Sequence, residues 1–111
     1  MHPVTKQARD ETGLARFGEP GVLVLLSLSN GAKHGYAITA DVLEETGMRL
    51  GPGTLYGALT KLEERGLVAP LPAEDRRRPY QITHAGRAAL AAQLATWSRI
   101  VRTGSARLAS P

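Results

Sequence analysis

Apolar and polar positions along this chain follow two spacings, and these spacings predict an order of elements. Apolar residues recur at helical spacing in four segments, and one further segment has two short apolar runs joined by a turn-prone stretch. In chain order the pattern predicts helices that begin near residues 19, 35 and 51, a two-stranded hairpin over 67–83, and a helix from Thr83 to about Thr103. The predicted fold class is therefore mainly α with one small β-hairpin.

The third helix, over residues 51–66, has the best-marked ends. Gly51 suits the N-cap, Pro52 suits the first helical position, where its missing N–H costs nothing, and Gly66 supplies a left-handed stop. Leucines at helical spacing must face a core, which leaves a small and polar outer face made of Gly53, Thr54, Gly57, Thr60 and Lys61. Such a face favours a helix that enters the major groove of DNA, because the backbone can approach base edges closely. An ordinary solvated helix surface is the alternative.

The hairpin over 67–83, which we call the wing, follows this helix directly. It has a turn-prone middle with Pro72 and a second limb with the β-forming residues Tyr80 and Ile82. That limb begins with three consecutive arginines, Arg76, Arg77 and Arg78. Planar guanidinium groups suit phosphate oxygens and narrow minor grooves. A run of charges alone is usually a solvated surface, but next to the helix over 51–66 it favours a winged helix-turn-helix that binds double-stranded DNA.

Composition and charge agree with this interpretation. The chain has 111 residues and a net charge of +4. Residues 1–66 hold seven Lys or Arg against eight Asp or Glu, and residues 67–111 hold seven against two, so the positive charge lies in the second part. The chain has no cysteine, which excludes disulfides and zinc–thiolate sites and favours a cytoplasmic location. The longest apolar stretch, 22–29, is too short to cross a bilayer.

The sequence offers no constellation for catalysis or metal binding. His2, His34 and His84 are far apart and form no i, i+4 pair, and no nucleophile stands beside a base. The glycine-rich residues 51–54 lack the Lys and Ser or Thr of a phosphate-binding loop. We therefore expect a protein that is not an enzyme and that uses no metal or cofactor.

The C-terminal helix carries an apolar stripe that needs a partner surface. Leu90, Leu94, Trp97 and Val101 step along one face, and Ile100 widens it. An isologous homodimer would cover this face with a second copy of the helix. Trp97 is then either a filler of the interface or a flat surface on which a planar aromatic inducer stacks.

Three strings resemble those of one known family. They are HGYAI at 34–38, GPGTLYGALTKLEERGLV at 51–68 and RRRPYQITHAGRAAL at 76–90. In this order and at this spacing they resemble the PadR-like transcriptional regulators, over roughly residues 17–103. The resemblance implies a homodimeric winged-helix repressor whose long C-terminal helix makes the dimer contact and, in short members, a small-molecule site between the subunits. The chain departs from the usual pattern at Gly51, where most members have Ser, and at Gly57, where many have Pro.

Two tyrosines near helix starts have different expected roles. Tyr36 is expected to pack in the core with its hydroxyl on a backbone or solvent partner. Tyr56 lies at the flank of the outer face of the third helix, so both packing and a phosphate contact remain open.

The assignments divide the chain into four segments. These are an N-terminal arm or frayed helix over 1–17, the winged helix-turn-helix over 18–83, a dimerisation helix over 84–104 and a flexible tail over 105–111. The predicted function is a sequence-specific, ligand-responsive repressor that acts on a DNA operator as a homodimer. The alternative from another class is a winged-helix protein-interaction adaptor that does not bind DNA.

Overall fold

The computed structural model describes residues 18–111, and the predicted N-terminal arm over 1–17 lies outside the described residues. In chain order the elements are α1 Gly18–Leu28, β1 Lys33–His34, α2 Gly35–Thr46, α3 Pro52–Glu64, β2 Val68–Pro70, β3 Pro79–Ile82 and α4 His84–Ala109. The mainly α fold with a small β-wing and a long C-terminal helix is confirmed.

The ends of α2 and α3 lie where glycine and proline mark them in the sequence. Gly47, after α2, has a φ of 77°, and Gly66, after α3, has a φ of 75°. Residues with a Cβ rarely adopt this left-handed conformation, so these glycines end the helices sharply. Pro52 is the first residue of α3, and Gly51 is its N-cap.

The core is built around α1. Its residues Val24, Leu25 and Leu28 are at most 1% exposed, because α2, α3, α4 and β3 all contact this helix. A helix that is apolar on nearly every side suits such a central position. One polar residue of α1 is also buried: the hydroxyl of Ser27 donates a hydrogen bond of 2.7 Å to Asp41 of α2. This bond satisfies the buried hydroxyl and ties the two helices together.

The sheet has one strand more than the two-stranded wing that the sequence predicts. β3 lies between β1 and β2 and pairs antiparallel with both, with Val68 opposite Ile82 and His34 opposite Pro79. β1 contains only two residues, which is too short to show an alternating pattern. Through this pairing the start of α2 is attached to the wing.

α4 is longer than predicted and continues beyond the rest of the domain. Its first turns belong to the core, since Ala89 and Leu90 are buried. The helix ends at Ala109, so most of the segment expected to be a flexible tail, 105–111, is helical. The residues after Gly104 have ordinary helix propensities, and one glycine costs a helix only about 1 kcal/mol. Among residues 18–111, no helix is both long and apolar enough to span a membrane.

Candidate nucleic-acid interface

The outer face of α3 is exposed and has little bulk. All five of its predicted members are exposed, namely Gly53, Thr54, Gly57, Thr60 and Lys61. On the opposite side, Leu55, Leu59 and Leu62 are buried in the core. A Cβ added at Gly53 or Gly57 would meet nothing within 4 Å outside the helix itself. Contacts within the described part of the chain therefore do not explain why glycine stands at these two positions.

The charges along α3 divide it into two ends. Its first turn has no acidic residue, and its N-cap, Gly51, supplies no side-chain hydrogen bond to the first amides. Its last residues include Glu63 and Glu64, both exposed. The N-terminal end of a helix also carries the positive end of its dipole. The last turn also contains Lys61, so the charges at that end of α3 are mixed, whereas the first turn has no charged side chain.

The tip of the wing is a tight turn that places Arg76 at the end of the hairpin. Glu74 and Arg77 exchange two backbone hydrogen bonds, of 2.6 and 2.8 Å, around the two central residues. Asp75 and Arg76 have positive φ values of 49° and 69°. Two consecutive left-handed residues are typical of a type I′ turn, where glycine or asparagine is usual. The backbone thus holds Arg76 at the tip in a conformation that residues with a Cβ rarely adopt.

The three arginines of the wing have different surroundings, although they are consecutive in the sequence. Arg76 is in the turn, and all three are exposed. The guanidinium of Arg77 lies 3.4 Å from the Nε2 atom of His34. The guanidinium of Arg78 donates a hydrogen bond of 3.0 Å to the carbonyl of Leu71 on the other limb of the wing. Arg78 therefore also stabilises the hairpin.

All three tyrosines of the chain line one cleft between α2, α3 and the wing. This cleft, which we call the tyrosine cleft, has a volume of about 460 Å³ and is lined by His34, Gly35, Tyr36, Tyr56, Tyr80 and Arg76–Arg78. Tyr36 is 76% exposed and Tyr56 is 51% exposed. The expectation that Tyr36 packs in the core is therefore wrong. Sequence reasoning missed Tyr36, His34 and Tyr80 as surface residues of this region, because the pairing of β1 with β3 brings them together.

Gly35 and Tyr56 fit against each other at the junction of α2 and α3. A Cβ added at Gly35 would collide with the Tyr56 hydroxyl and lie 2.8 Å from its Cζ atom. Glycine at the start of α2 is therefore needed for this close approach. Tyr80 packs against the core, and burial raises its pKa, with the carboxylate of Glu63 raising it further. The Tyr80 phenol thus remains protonated, as a hydrogen-bond donor, at neutral pH.

These surfaces belong to a chain with recognisable relatives. A model described as the "Transcriptional regulator PadR-like family" matches residues 23–92, which include α2, α3, the wing and the start of α4. The chain belongs to the PadR-like family.

Two curated relatives of this PadR-like chain are similar over part of their length. An uncharacterized 37.1 kDa protein in transposon TN4556 of Streptomyces fradiae is 45% identical over 85 residues, which are 77% of this chain and 25% of that protein. Transcriptional regulator Rv3488 of Mycobacterium tuberculosis is 46% identical over 63 residues, which are 51% of this chain and 55% of that protein. The chain thus spans about a quarter of the first relative and about half of the second.

Solved structures show the same architecture. A PadR family transcription regulator from Clostridium difficile superposes with a TM-score of 0.72 at 25% identity, covering 82% of this chain and 99% of that chain. RosR of H. salinarum superposes with a TM-score of 0.63 at 29% identity, covering 72% of each chain. The PadR-like winged helix with a C-terminal helix is therefore the fold of this protein.

The second exposed surface of this PadR-like protein is the apolar stripe on α4. Four of its five predicted members are exposed: Leu94 at 42%, Trp97 at 36%, Ile100 at 61% and Val101 at 64%. Leu90 is only 6% exposed and belongs to the core of the domain, so the exposed part of the stripe begins at Leu94. Helical spacing identifies the face, but the neighbouring elements determine where along the helix that face becomes uncovered.

Proposed function

We propose that this PadR-like protein binds double-stranded DNA sequence-specifically, as a homodimeric transcriptional repressor. The observation that supports this most directly is the combination of two exposed surfaces. One is the small, polar outer face of α3, and the other is the wing with Arg76 at its tip. A helix face without bulk suits the major groove, and a guanidinium group suits phosphates or a narrow minor groove.

In this proposal α3 and the wing have separate tasks. Thr54 and Lys61 carry side chains that can hydrogen-bond to base edges, and Gly53 and Gly57 let the backbone come close to them. Arg76, with Arg77 and Arg78, contacts phosphates and positions the protein on the duplex. Tyr56 and Thr60 complete the surface at the flank of α3.

The apolar stripe on α4 supports the homodimer. Leu94, Trp97, Ile100 and Val101 together form an apolar patch on a helix that projects beyond its own domain. A soluble monomer rarely exposes a contiguous patch of this kind. A two-fold axis near mid-helix would pair two copies of the stripe. Dimeric helix-turn-helix proteins bind half-sites about one DNA turn apart, roughly 34–36 Å, and we expect the same spacing here.

We also propose that a planar aromatic ligand at the dimer interface releases the operator. Trp97 is 36% exposed in the subunit and lies in the middle of the stripe, so its indole can face its symmetry mate or a bound ring. Such a ligand would change the spacing of the two α3 helices. Trp97→Ala should leave a dimer, since the other apolar residues remain, but should abolish the release of DNA by planar aromatic compounds. Release that persists in this variant would place the ligand elsewhere.

The experiment that tests the main proposal is titration of the protein against a library of genomic fragments. We expect enrichment of an inverted repeat whose half-sites are separated by about one helical turn. If no sequence outcompetes bulk DNA, the proposal of a sequence-specific repressor fails. Replacing Arg76, Arg77 and Arg78 with Asp separates this proposal from the adaptor alternative, because only an adaptor would keep its partner after the charge reversal.

A further inference from the structure

The tyrosine cleft contains aromatic and cationic groups that DNA binding alone does not fully explain. Its lining combines every tyrosine of the chain with three arginines and His34. None of the described residues that line it is acidic, and Glu74 and Asp75 line a neighbouring hollow instead. Its volume of about 460 Å³ lies within the range of about 300–1,000 Å³ that is typical of small-ligand pockets. The cleft is therefore large enough for a small anion that carries a ring.

Two side chains that line the cleft contact other parts of the protein. The ring of Tyr56 lies against Gly35, where even a methyl group would collide with its hydroxyl. The guanidinium of Arg78 donates a hydrogen bond of 3.0 Å to the Leu71 carbonyl. Each such contact reduces the conformational entropy that its side chain loses when a ligand binds.

The chemistry of these walls indicates the class of ligand. Guanidinium groups bind phosphates through paired hydrogen bonds, and exposed tyrosine rings stack on planar bases. The bases of a duplex are already stacked on one another, so duplex DNA offers the cleft its phosphates but no free ring face. A free nucleotide offers both groups at once.

We propose that the tyrosine cleft binds a free nucleoside phosphate, with the phosphate on Arg77 and Arg78 and the base against Tyr36 and Tyr56. The bound nucleotide occupies the space between α3 and the wing. Under the proposed function, on which this consequence rests, it competes directly with DNA. This cleft is lined by residues other than those of the α4 stripe, so the two proposed ligand sites are separate.

The test is an NMR titration of the DNA-free protein with AMP. Because all three tyrosines line the cleft, their ring signals report on it alone, while the indole N–H of Trp97 reports on α4. We expect saturable shifts of the tyrosine signals and an unchanged Trp97 signal. Adenosine, which lacks the phosphate, and inorganic phosphate, which lacks the base, should each bind at least tenfold more weakly than AMP.

Single variants connect the binding to the cleft. Tyr36→Ala and Arg77→Ala should each weaken AMP binding at least tenfold, and both residues are exposed, so the fold should tolerate the changes. Arg99→Ala is the matched control for charge, since Arg99 is exposed on α4 and does not line the cleft. Trp97→Ala is the control for the other ligand site. Both controls should bind AMP as the unchanged protein does.

Three results would overturn the proposal: no tyrosine shifts at millimolar AMP, equal binding of AMP and inorganic phosphate, or equal weakening by Arg99→Ala and Arg77→Ala. Duplex binding is measured separately, without nucleotide. Sequence-specific duplex binding without AMP binding rejects this inference and leaves the proposed function in place. AMP binding without duplex binding rejects the proposed function and leaves the cleft as a nucleotide site.

Discussion

The two exposed surfaces of this protein have opposite chemistry, although each lies on a helix whose inner side belongs to the same core. The outer face of α3 is small and polar, and Tyr56 at its flank lines a cleft with the arginines of the wing, whereas the far half of α4 presents Trp97, Ile100 and Val101. Apolar surface is driven out of water by about 25 cal/mol per Å², and guanidinium groups attract phosphates. The first surface therefore suits a nucleic acid, and the second suits another apolar protein face.

The glycine at the start of α4 and the glycines of α3 have different surroundings. A Cβ at Gly86, near the start of α4, would collide with the carbonyl of Leu67, so this glycine serves packing inside the subunit. A Cβ at Gly57, on α3, would meet nothing within 4 Å outside the helix. Glycine inside a helix is destabilising by roughly 0.5–1 kcal/mol relative to alanine. On α3 that cost is not offset by packing within the described part of the chain, and Gly104, in the exposed far half of α4, is open in the same way.

The largest expected effect follows from placing a charge on the apolar surface. Ile100→Glu should convert the dimer to a monomer, because a carboxylate would have to be buried between the two helices. Operator affinity should then fall by roughly 10²–10⁴-fold, since the half-sites are no longer bound together. Light scattering reports the mass and gel shift reports the affinity. Ala95→Glu is the control, since Ala95 is exposed and lies off the apolar stripe. This change should neither dissociate the dimer nor lower operator affinity. A dimeric Ile100→Glu protein would remove α4 as the dimer contact.

The next effect concerns the cations of the other surface. Replacing Arg76, Arg77 and Arg78 with Ala should weaken binding to every DNA sequence similarly, by about 100-fold at low salt. The slope of log affinity against log salt should flatten by up to roughly 0.9 for each lost phosphate contact. Fluorescence anisotropy over a salt series measures both. The Arg99→Ala variant should keep the original slope. An unchanged slope in the triple variant would mean that the wing does not contact phosphates.

Sequence reasoning succeeded where the determinants are local. The ends of α2 and α3 follow from Gly47, Pro52 and Gly66, because a backbone conformation or a missing N–H acts on its own turn. The outer face of α3 follows from the spacing of its leucines for the same reason. The family strings lie on these same elements.

The rest depends on tertiary contacts that no local pattern contains. β1 is a strand only because β3 lies beside it, and the exposure of Tyr36 depends on how α2 packs against its neighbours. Leu90 and Leu94 share one stripe, yet the domain ends between them, so one is buried and the other exposed. The sequence contains no strong signal that would end α4 before Ala109. Periodicity identifies the apolar face of a helix, but it does not show how far neighbouring elements cover that face.

A smaller effect should separate α3 from the wing. Thr54→Ala and Lys61→Ala should change which operator sequences are preferred, because a good base contact gives about 1–3 kcal/mol of discrimination. Affinity for bulk DNA should change much less. Selection of binding sequences from a randomised half-site, for each variant, measures the preference. Variants that lose affinity equally for all sequences would show that these residues contact phosphates, contrary to the proposed division of tasks.

The smallest effect is expected for Gly57→Ala, which adds a single methyl group to the outer face of α3. Because the space around Gly57 is open, the variant should be more stable by roughly 0.5–1 kcal/mol. The same methyl group would stand between α3 and the base edges, so operator affinity should fall a few-fold while the dimer stays intact. Urea unfolding gives the stability at fixed protein concentration, and anisotropy gives the affinity. A rise in stability together with a fall in operator affinity would identify the outer face of α3 as a contact surface. If both stability and affinity rise, the outer face of α3 does not approach the DNA, and its glycines have no role in binding.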